Sequence, residues 1–104
     1  MARKVKIIGI GSYLPDEIVS NDDLSQILDT SNNWITTRSG IKQRHRAADG
    51  EATSDIALQA AQQALVDAGM TANDIDMIIV STTTPDLTFP ATAALVQKKL
   101  GIGH

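Results

Sequence analysis

Two apolar stretches bracket most of the chain. Val5 to Ile10 is apolar apart from Lys6 and Gly9, which predicts a first strand. Ile75 to Val80 reads Ile-Asp-Met-Ile-Ile-Val, a near-continuous apolar run that predicts a strand covered on both faces, as in an α/β sheet. Between them lies the longest helical pattern, capped by Thr53 or Ser54, running to Ala68 and stopped by Gly69. Its apolar positions, Ile56, Ala57, Ala60, Ala61, Ala64, Leu65 and Ala68, follow the helical period, and most are alanines, so a second element can approach closely. Asn21 predicts the cap of a short helix over Asp22 to Leu28, with acids in its first turn. Ser31 and Gly40 bound a further helix of about two turns, and Ile41 to Arg46 then alternates like a strand. Thr71 to Asp74 forms a turn, and Phe89-Pro90 leads into a helix from Ala91 to Leu100. The pattern is that of an α/β protein without internal repeats, low-complexity segments or an interdomain linker.

With 104 residues, the chain is long enough for one small domain with a modest core. Hydrophobic residues at 42% and charged residues at 20% are ordinary for a soluble protein. Aromatics amount to 3%, so the core must come from Ile, Leu, Val and Ala. The net charge of −3 gives no overall attraction to nucleic acid or membrane, and positive charge concentrates locally between Arg38 and Arg46. Having no cysteine excludes a disulfide framework, a zinc-thiolate site and a cysteine nucleophile within these residues. No signal peptide precedes the first strand and no apolar run is long enough to span a bilayer, so a cytoplasmic location is the expectation.

Three stretches invite chemistry. Gly9-Ile10-Gly11-Ser12-Tyr13-Leu14 suggests a dinucleotide loop, but the third glycine is missing and Leu14-Pro15 stands where a helix should open. The glycines instead suit a tight turn at the end of the strand. His45 lies between two arginines with nothing nearby in sequence to orient its ring, which suits a partly exposed strand histidine better than a catalytic base. Trp34, the one Trp of the chain, and Arg38 stand four residues apart on one helix face. An indole offers a flat apolar platform, and a guanidinium one turn away can hold a phosphate by paired, charge-assisted hydrogen bonds. Thr30 adds a hydroxyl beside them, so the face suits a ligand with a flat base and nearby phosphates. The competing reading is a core Trp with a solvated Arg at its rim, since Trp is highly buried on average. Ser81-Thr82-Thr83-Thr84-Pro85 follows the Ile75 to Val80 run at the strand end where open α/β sheets usually place ligands.

The opening Ile7-Ile8-Gly9-Ile10-Gly11-Ser12-Tyr13-Leu14-Pro15, the block Asp29-Thr30-Ser31-Asn32-Asn33-Trp34-Ile35 through Arg38-Ser39-Gly40-Ile41 to Arg44-His45, and Thr82-Thr83 with Phe89-Pro90 resemble the N-terminal part of β-ketoacyl-acyl-carrier-protein synthase III. The match runs the length of the chain, in order and with the family's spacing, and the block from Thr30 to Arg44 is its specific element. The resemblance implies an incomplete N-terminal part of a thiolase-like fold, two related α/β halves layered α-β-α-β-α. It implies a cytoplasmic homodimer that starts type II fatty acid synthesis by decarboxylative condensation of an acyl-CoA with malonyl-acyl carrier protein. An active-site Cys is acylated first, a sensible nucleophile toward thioesters, and a His and an Asn help decarboxylate the malonyl group.

Carried over by position, Trp34 matches the tryptophan that stacks on the adenine of CoA, and Arg38 and Thr30 match neighbours at the same nucleotide end. Phe89 matches a phenylalanine that crosses the dimer interface and closes the partner's acyl pocket, and Thr83 falls at a pocket-lining position. No catalytic or metal-binding residue is assigned here. The family's Cys lies beyond His104, its His and Asn further on, and the helix that docks acyl carrier protein lies outside these residues. CoA thioester is implied as substrate, with no permanently bound cofactor. Two other functions compete: a non-catalytic module binding CoA or a phosphopantetheine carrier, and a related thiolase-fold acyltransferase of polyketide or hydroxymethylglutaryl-CoA synthesis.

Overall fold

The computed structural model describes residues 2–103. The chain divides into two units, Leu14–Gly50 and the residues on either side of it.

In the Leu14–Gly50 unit, β1 (Glu17–Ser20) leads directly into α1 (Asn21–Ser25), followed by α2 (Asn32–Ser39) and β2 (Gln43–Arg46). The two strands form an antiparallel pair with Glu17 opposite Arg46, Ile18 opposite His45, Val19 opposite Arg44 and Ser20 opposite Gln43. The sequence pattern missed β1, and β2 begins two residues later than the alternation suggests. Helix α1 is shorter than expected, and its cap is Ser20 rather than Asn21. Ser20 Oγ accepts from the Asp23 N–H at 3.1 Å, while Asp23 Oδ2 accepts from the Ser20 N–H at 2.8 Å. This reciprocal box satisfies two donors at once and leaves Asn21 free to turn inward. Helix α2 is bounded as the sequence predicts: Ser31 Oγ accepts from the Trp34 N–H at 3.1 Å, and Gly40 closes the helix at φ 71°.

The second unit contains α3 (Thr53–Ala68), a 3₁₀ turn (Ala72–Asp74) and α4 (Thr92–Leu100). Ala52, not Thr53 or Ser54, occupies the cap position of α3, and Asp55 Oδ2 accepts the Ala52 N–H at 3.0 Å. Ser54 is buried and engaged elsewhere. Gly69 and Gly101 end the two helices in the left-handed conformation. Helices α3 and α4 pack together, and the buried apolar side chains are Val96 and Ile102.

Gly9 and Gly11 are explained by this unit. Neither takes positive φ, and no turn forms at either. They lie against the alanine-rich face of α3, where a Cβ on Gly9 would stand 2.5 Å from the Ala64 carbonyl oxygen and one on Gly11 would meet Ala60 O and Ala64 N. The Ile10 N–H donates to Asp67 Oδ2 at 2.9 Å, pinning the segment to the same helix. The close approach expected of the alanines is therefore made by the glycine segment.

Neither Val5 to Ile10 nor Ile75 to Val80 joins a ladder: the sheet among the described residues is the β1–β2 pair. Ile75 to Val80 is also covered on one side rather than two. Ile75, Ile78 and Val80 are half-buried, whereas Met77 and Ile79 are 77% and 84% exposed. The two apolar stretches flank an open groove of about 420 Å³, lined by Ile8, Ala64, Leu65, Ile78, Val96 and Leu100 among others. Strand pattern without strand pairing follows when no neighbouring backbone supplies the ladder partners.

Candidate functional site

Helix α2 carries the Trp34–Arg38 face. Arg38 sits in its last turn, where a cation is favoured by the helix dipole. Its Cζ lies 4.3 Å from the centroid of the Trp34 ring. A guanidinium stacked this way at an exposed site gains about 0.5–1 kcal/mol from the ring quadrupole. Trp34 is 53% exposed, and α2 contains no buried residue. A core tryptophan with a rim arginine is thus not what forms. The indole is a surface platform with a cation on one of its faces.

The opposite side of α2 is tied down. Asn32 and Thr36 lie two residues from Trp34, about 200° around the helix. Thr36 Oγ1 donates to Asn32 Oδ1 at 3.2 Å, and Asn21 Nδ2 donates to Asn32 Oδ1 at 2.9 Å. Thr30 precedes the Ser31 cap. Its backbone N–H donates to Leu28 O at 2.9 Å, while its hydroxyl oxygen is buried without a hydrogen-bond partner.

The basic stretch behind α2 is mostly committed to internal contacts. Arg44 donates to Val19 O at 3.1 Å and to Asn21 Oδ1 at 2.7 Å. Arg46 pairs with Glu17 directly across the β1–β2 ladder, with Nε donating to Oε2 at 3.0 Å. Among the described residues, Arg38 and Lys42 are in no salt bridge. His45 is half-buried in β2, as the sequence suggests, but its ring is oriented after all: Nδ1 lies 2.5 Å from Pro15 O. Since a carbonyl only accepts, Nδ1 carries the proton of that bond.

Thr83 and Phe89 belong to the other unit, and both are exposed. Phe89 is 87% exposed, so it is no part of a core within this chain. The segment bearing them is braced by a cluster that the sequence pattern did not reveal. Ser54 Oγ donates to Asp86 Oδ2 at 2.5 Å, and the Ser54 N–H donates to Asp86 Oδ1 at 2.8 Å. Lys99 Nζ donates to Ser54 Oγ and to Asp55 Oδ1, each at 2.6 Å. The Ser54 hydroxyl bond, then its N–H and the Lys99 charge, hold the Asp86 carboxyl below the usual carboxylate range. The Lys99 bond, joined by the Ala52 N–H, does the same for Asp55. Ser54 is fully buried, so this Ser–Lys–Asp set offers no substrate an approach and serves as a brace. A Thr-Ser-Asp run at the start of α3 is the local trace of it, but Asp86 and Lys99 are too distant in sequence to pair by pattern.

Among the described residues no group of three His, Asp or Glu side chains could hold a metal ion. None of their helices is long and apolar enough to cross a membrane.

No family model matches the chain. Individual proteins do. A β-ketoacyl-[acyl-carrier-protein] synthase III of Caulobacter vibrioides is 59% identical over 95 residues, covering 91% of this chain and 30% of that protein. One from Neisseria gonorrhoeae is 63% identical over 97 residues, covering 93% and 30%. The crystal structure of 3-oxoacyl-[acyl-carrier-protein] synthase III from Aquifex aeolicus superposes with a TM-score of 0.86 at 49% identity, over 92% of this chain and 31% of that one. The chain therefore spans about 30% of the length of the curated relatives it matches.

Proposed function

We propose that this chain, an N-terminal piece of β-ketoacyl-[acyl-carrier-protein] synthase III sequence and thiolase-like α/β fold, holds the nucleotide end of CoA within a condensing enzyme. The whole protein would join an acyl-CoA to malonyl-acyl carrier protein with loss of CO₂, acting as a cytoplasmic homodimer with no permanent cofactor. A cysteine nucleophile would have to come from outside this chain, which has none.

The observation that carries the reading is the half-exposed Trp34 with Arg38 over its ring. Adenine is flat and apolar on its faces, and stacks on indole without needing a sequence of hydrogen bonds. The phosphates of the nucleotide need a cation that is not already in an ion pair, and among the described residues Arg38 is in none. Thr30 stands just before the cap of α2 beside this face; its hydroxyl oxygen is buried, so a contact with the nucleotide would require its side chain to turn outward. At the other end of the substrate, Phe89 would close the acyl pocket of a second subunit, and Thr83 would hold a pocket-lining position. The near-complete exposure of Phe89 supports a partner-facing role.

The test is to titrate the intact protein with CoA and with phosphopantetheine, which lacks the adenine nucleotide. CoA should bind more tightly, and Trp34→Ala should remove that advantage while leaving phosphopantetheine binding unchanged. Equal binding of the two ligands by the wild type would end the proposal.

A further inference from the structure

We infer that Asn21 is a positioning residue that sets the orientation of the Trp34–Arg38 face; the inference rests on the nucleotide-holding role proposed above. Asn21 is 1% exposed, and both polar atoms of its side chain are hydrogen-bonded. Its Nδ2 donates to Asn32 Oδ1 at 2.9 Å and to Ile41 O at 2.8 Å, with a longer 3.4 Å contact to Thr36 Oγ1. Its Oδ1 accepts from Arg44 at 2.7 Å, and its backbone N–H donates to Lys42 O at 3.2 Å. One amide thus joins the start of α1 to α2, to the chain leaving α2, and to β2.

Helix α2 has few other restraints. It has half-buried but no fully buried residues, so packing restrains its rotation only in part. Directed hydrogen bonds at Asn32 and Thr36 fix it further, each about 200° around the helix from Trp34. A rotation of α2 about its axis would swing the indole and guanidinium together while breaking the Asn21 bonds. Alanine at position 21 removes both donors and leaves Arg44 with Val19 O but without the Asn21 Oδ1 acceptor. Aspartate keeps an acceptor for Arg44 but sets a carboxylate oxygen against Asn32 Oδ1 and Ile41 O, two acceptors. Both changes should therefore loosen α2, although aspartate preserves, and charges, the Arg44 contact.

The test is a double-mutant cycle on CoA affinity in the intact protein, with Asn21→Ala, Trp34→Ala and the pair. Asn21→Ala should weaken CoA about tenfold, the scale of two lost net hydrogen bonds. In steady-state assays the KM for acyl-CoA should rise while kcat and the KM for the malonyl carrier stay unchanged. The loss from Trp34→Ala should shrink in the Asn21→Ala background, because a misplaced platform has less to lose. Additive losses, or an unchanged affinity in Asn21→Ala, would overturn the inference. If Trp34→Ala alone leaves affinity unchanged, the nucleotide-holding role itself fails and the inference goes with it. If Asn21→Ala does not fold, Asn32→Ala breaks the same link from the exposed side and is expected to show the same coupling to Trp34.

Discussion

Alanine at Gly11 or Gly9 tests how the N-terminal segment is held and what its glycines are for. A Cβ at Gly11 would meet the Ala60 carbonyl oxygen and the Ala64 amide nitrogen, with Gln63 Cβ 2.9 Å away. At Gly9 it would lie 2.5 Å from Ala64 O, 2.7 Å from Ala68 Cβ and 2.9 Å from Ala68 N. Helix backbone cannot step aside as a flexible side chain can, so the segment must lift off α3 and strain the Ile10–Asp67 bond. Overpacking a close contact costs roughly 1–3 kcal/mol, and contact with backbone puts both sites at the upper end. Alanine also restricts the unfolded chain, which offsets about 0.4–1 kcal/mol of that loss. The net expectation is a destabilisation of about 2 kcal/mol for either substitution in the intact protein. Urea unfolding would show a lower midpoint, while calorimetry on the folded fraction would show unchanged CoA affinity. Adding Ala68→Gly to Gly9→Ala relieves the Cβ contact but leaves Ala64 O in the way, so recovery should be partial. A dinucleotide loop predicts the reverse: stability kept, nucleotide affinity lost. A Gly11→Ala protein with the wild-type midpoint would show that the segment does not lie against α3.

Trp34→Ala should weaken CoA binding by about 1–3 kcal/mol, the worth of a base–aromatic stack, and leave the melting temperature nearly unchanged because the indole is half exposed. Titration calorimetry beside a thermal melt checks both halves. Ser54→Ala should lower the melting temperature of the intact protein, and the difference from wild type should be full at neutral pH and vanish in acid. Asp86, held low first by the Ser54 hydroxyl, has a folded-state value below the unfolded Asp value of about 3.9, so this contribution is present above the unfolded value and is lost as pH falls through the lower folded value. A mutant deficit that persists undiminished as pH falls well below the unfolded Asp value would refute the carboxylate part of the brace. Phe89→Ser should shift the intact protein from dimer toward monomer in sedimentation, and an unchanged dimer with a solvent-facing Phe89 would refute the interface role.

What the sequence made legible is what is local. Ser31 and Gly40, Gly69 and the Thr71–Asp74 turn are contacts within a few residues, and each formed as expected. Trp34 and Arg38 are one helical turn apart, so their pairing was readable before any fold was known. What escaped depends on distant partners. Asn21 looks like a cap until Ile41 and Arg44 come beside it, and the true cap, Ser20, is set by its neighbour Asp23. Ser54 looks like a cap until Asp86 and Lys99 meet it across 32 and 45 residues. Strand β1 is four residues with a single apolar pair, too short for an alternating pattern. Gly9 and Gly11 suggest backbone freedom in the sequence, whereas their use is the missing Cβ, and the alanine stripe of α3 is the signal for it.

The 104 residues taken alone should not form a cooperatively folded domain. Their accessible surface is 8207 Å² at a mass of 11.1 kDa. A folded monomer of that mass exposes about 5,700 Å², and treating the two units as separate compact bodies raises the expectation only to about 6,800 Å². The excess is where the exposed side chains are: Val5, Ile7 and Ile10 in the first apolar stretch, Met77 and Ile79 in the second. If half of that excess is apolar, covering it would supply roughly 20–30 kcal/mol, against a net stability of about 5–15 kcal/mol for a typical domain. Those figures are upper bounds on burial, yet even a third of the larger one is comparable to the whole stability of a domain. Two apolar stretches that join no backbone ladder also offer edges to any other strand, so association between copies competes with folding. Expressed alone, residues 1–104 should aggregate or melt without a sigmoidal transition in circular dichroism, and should bind no CoA. A sharp, reversible melt from a soluble monomer would show that these two apolar faces do not need covering, and would overturn the argument from burial.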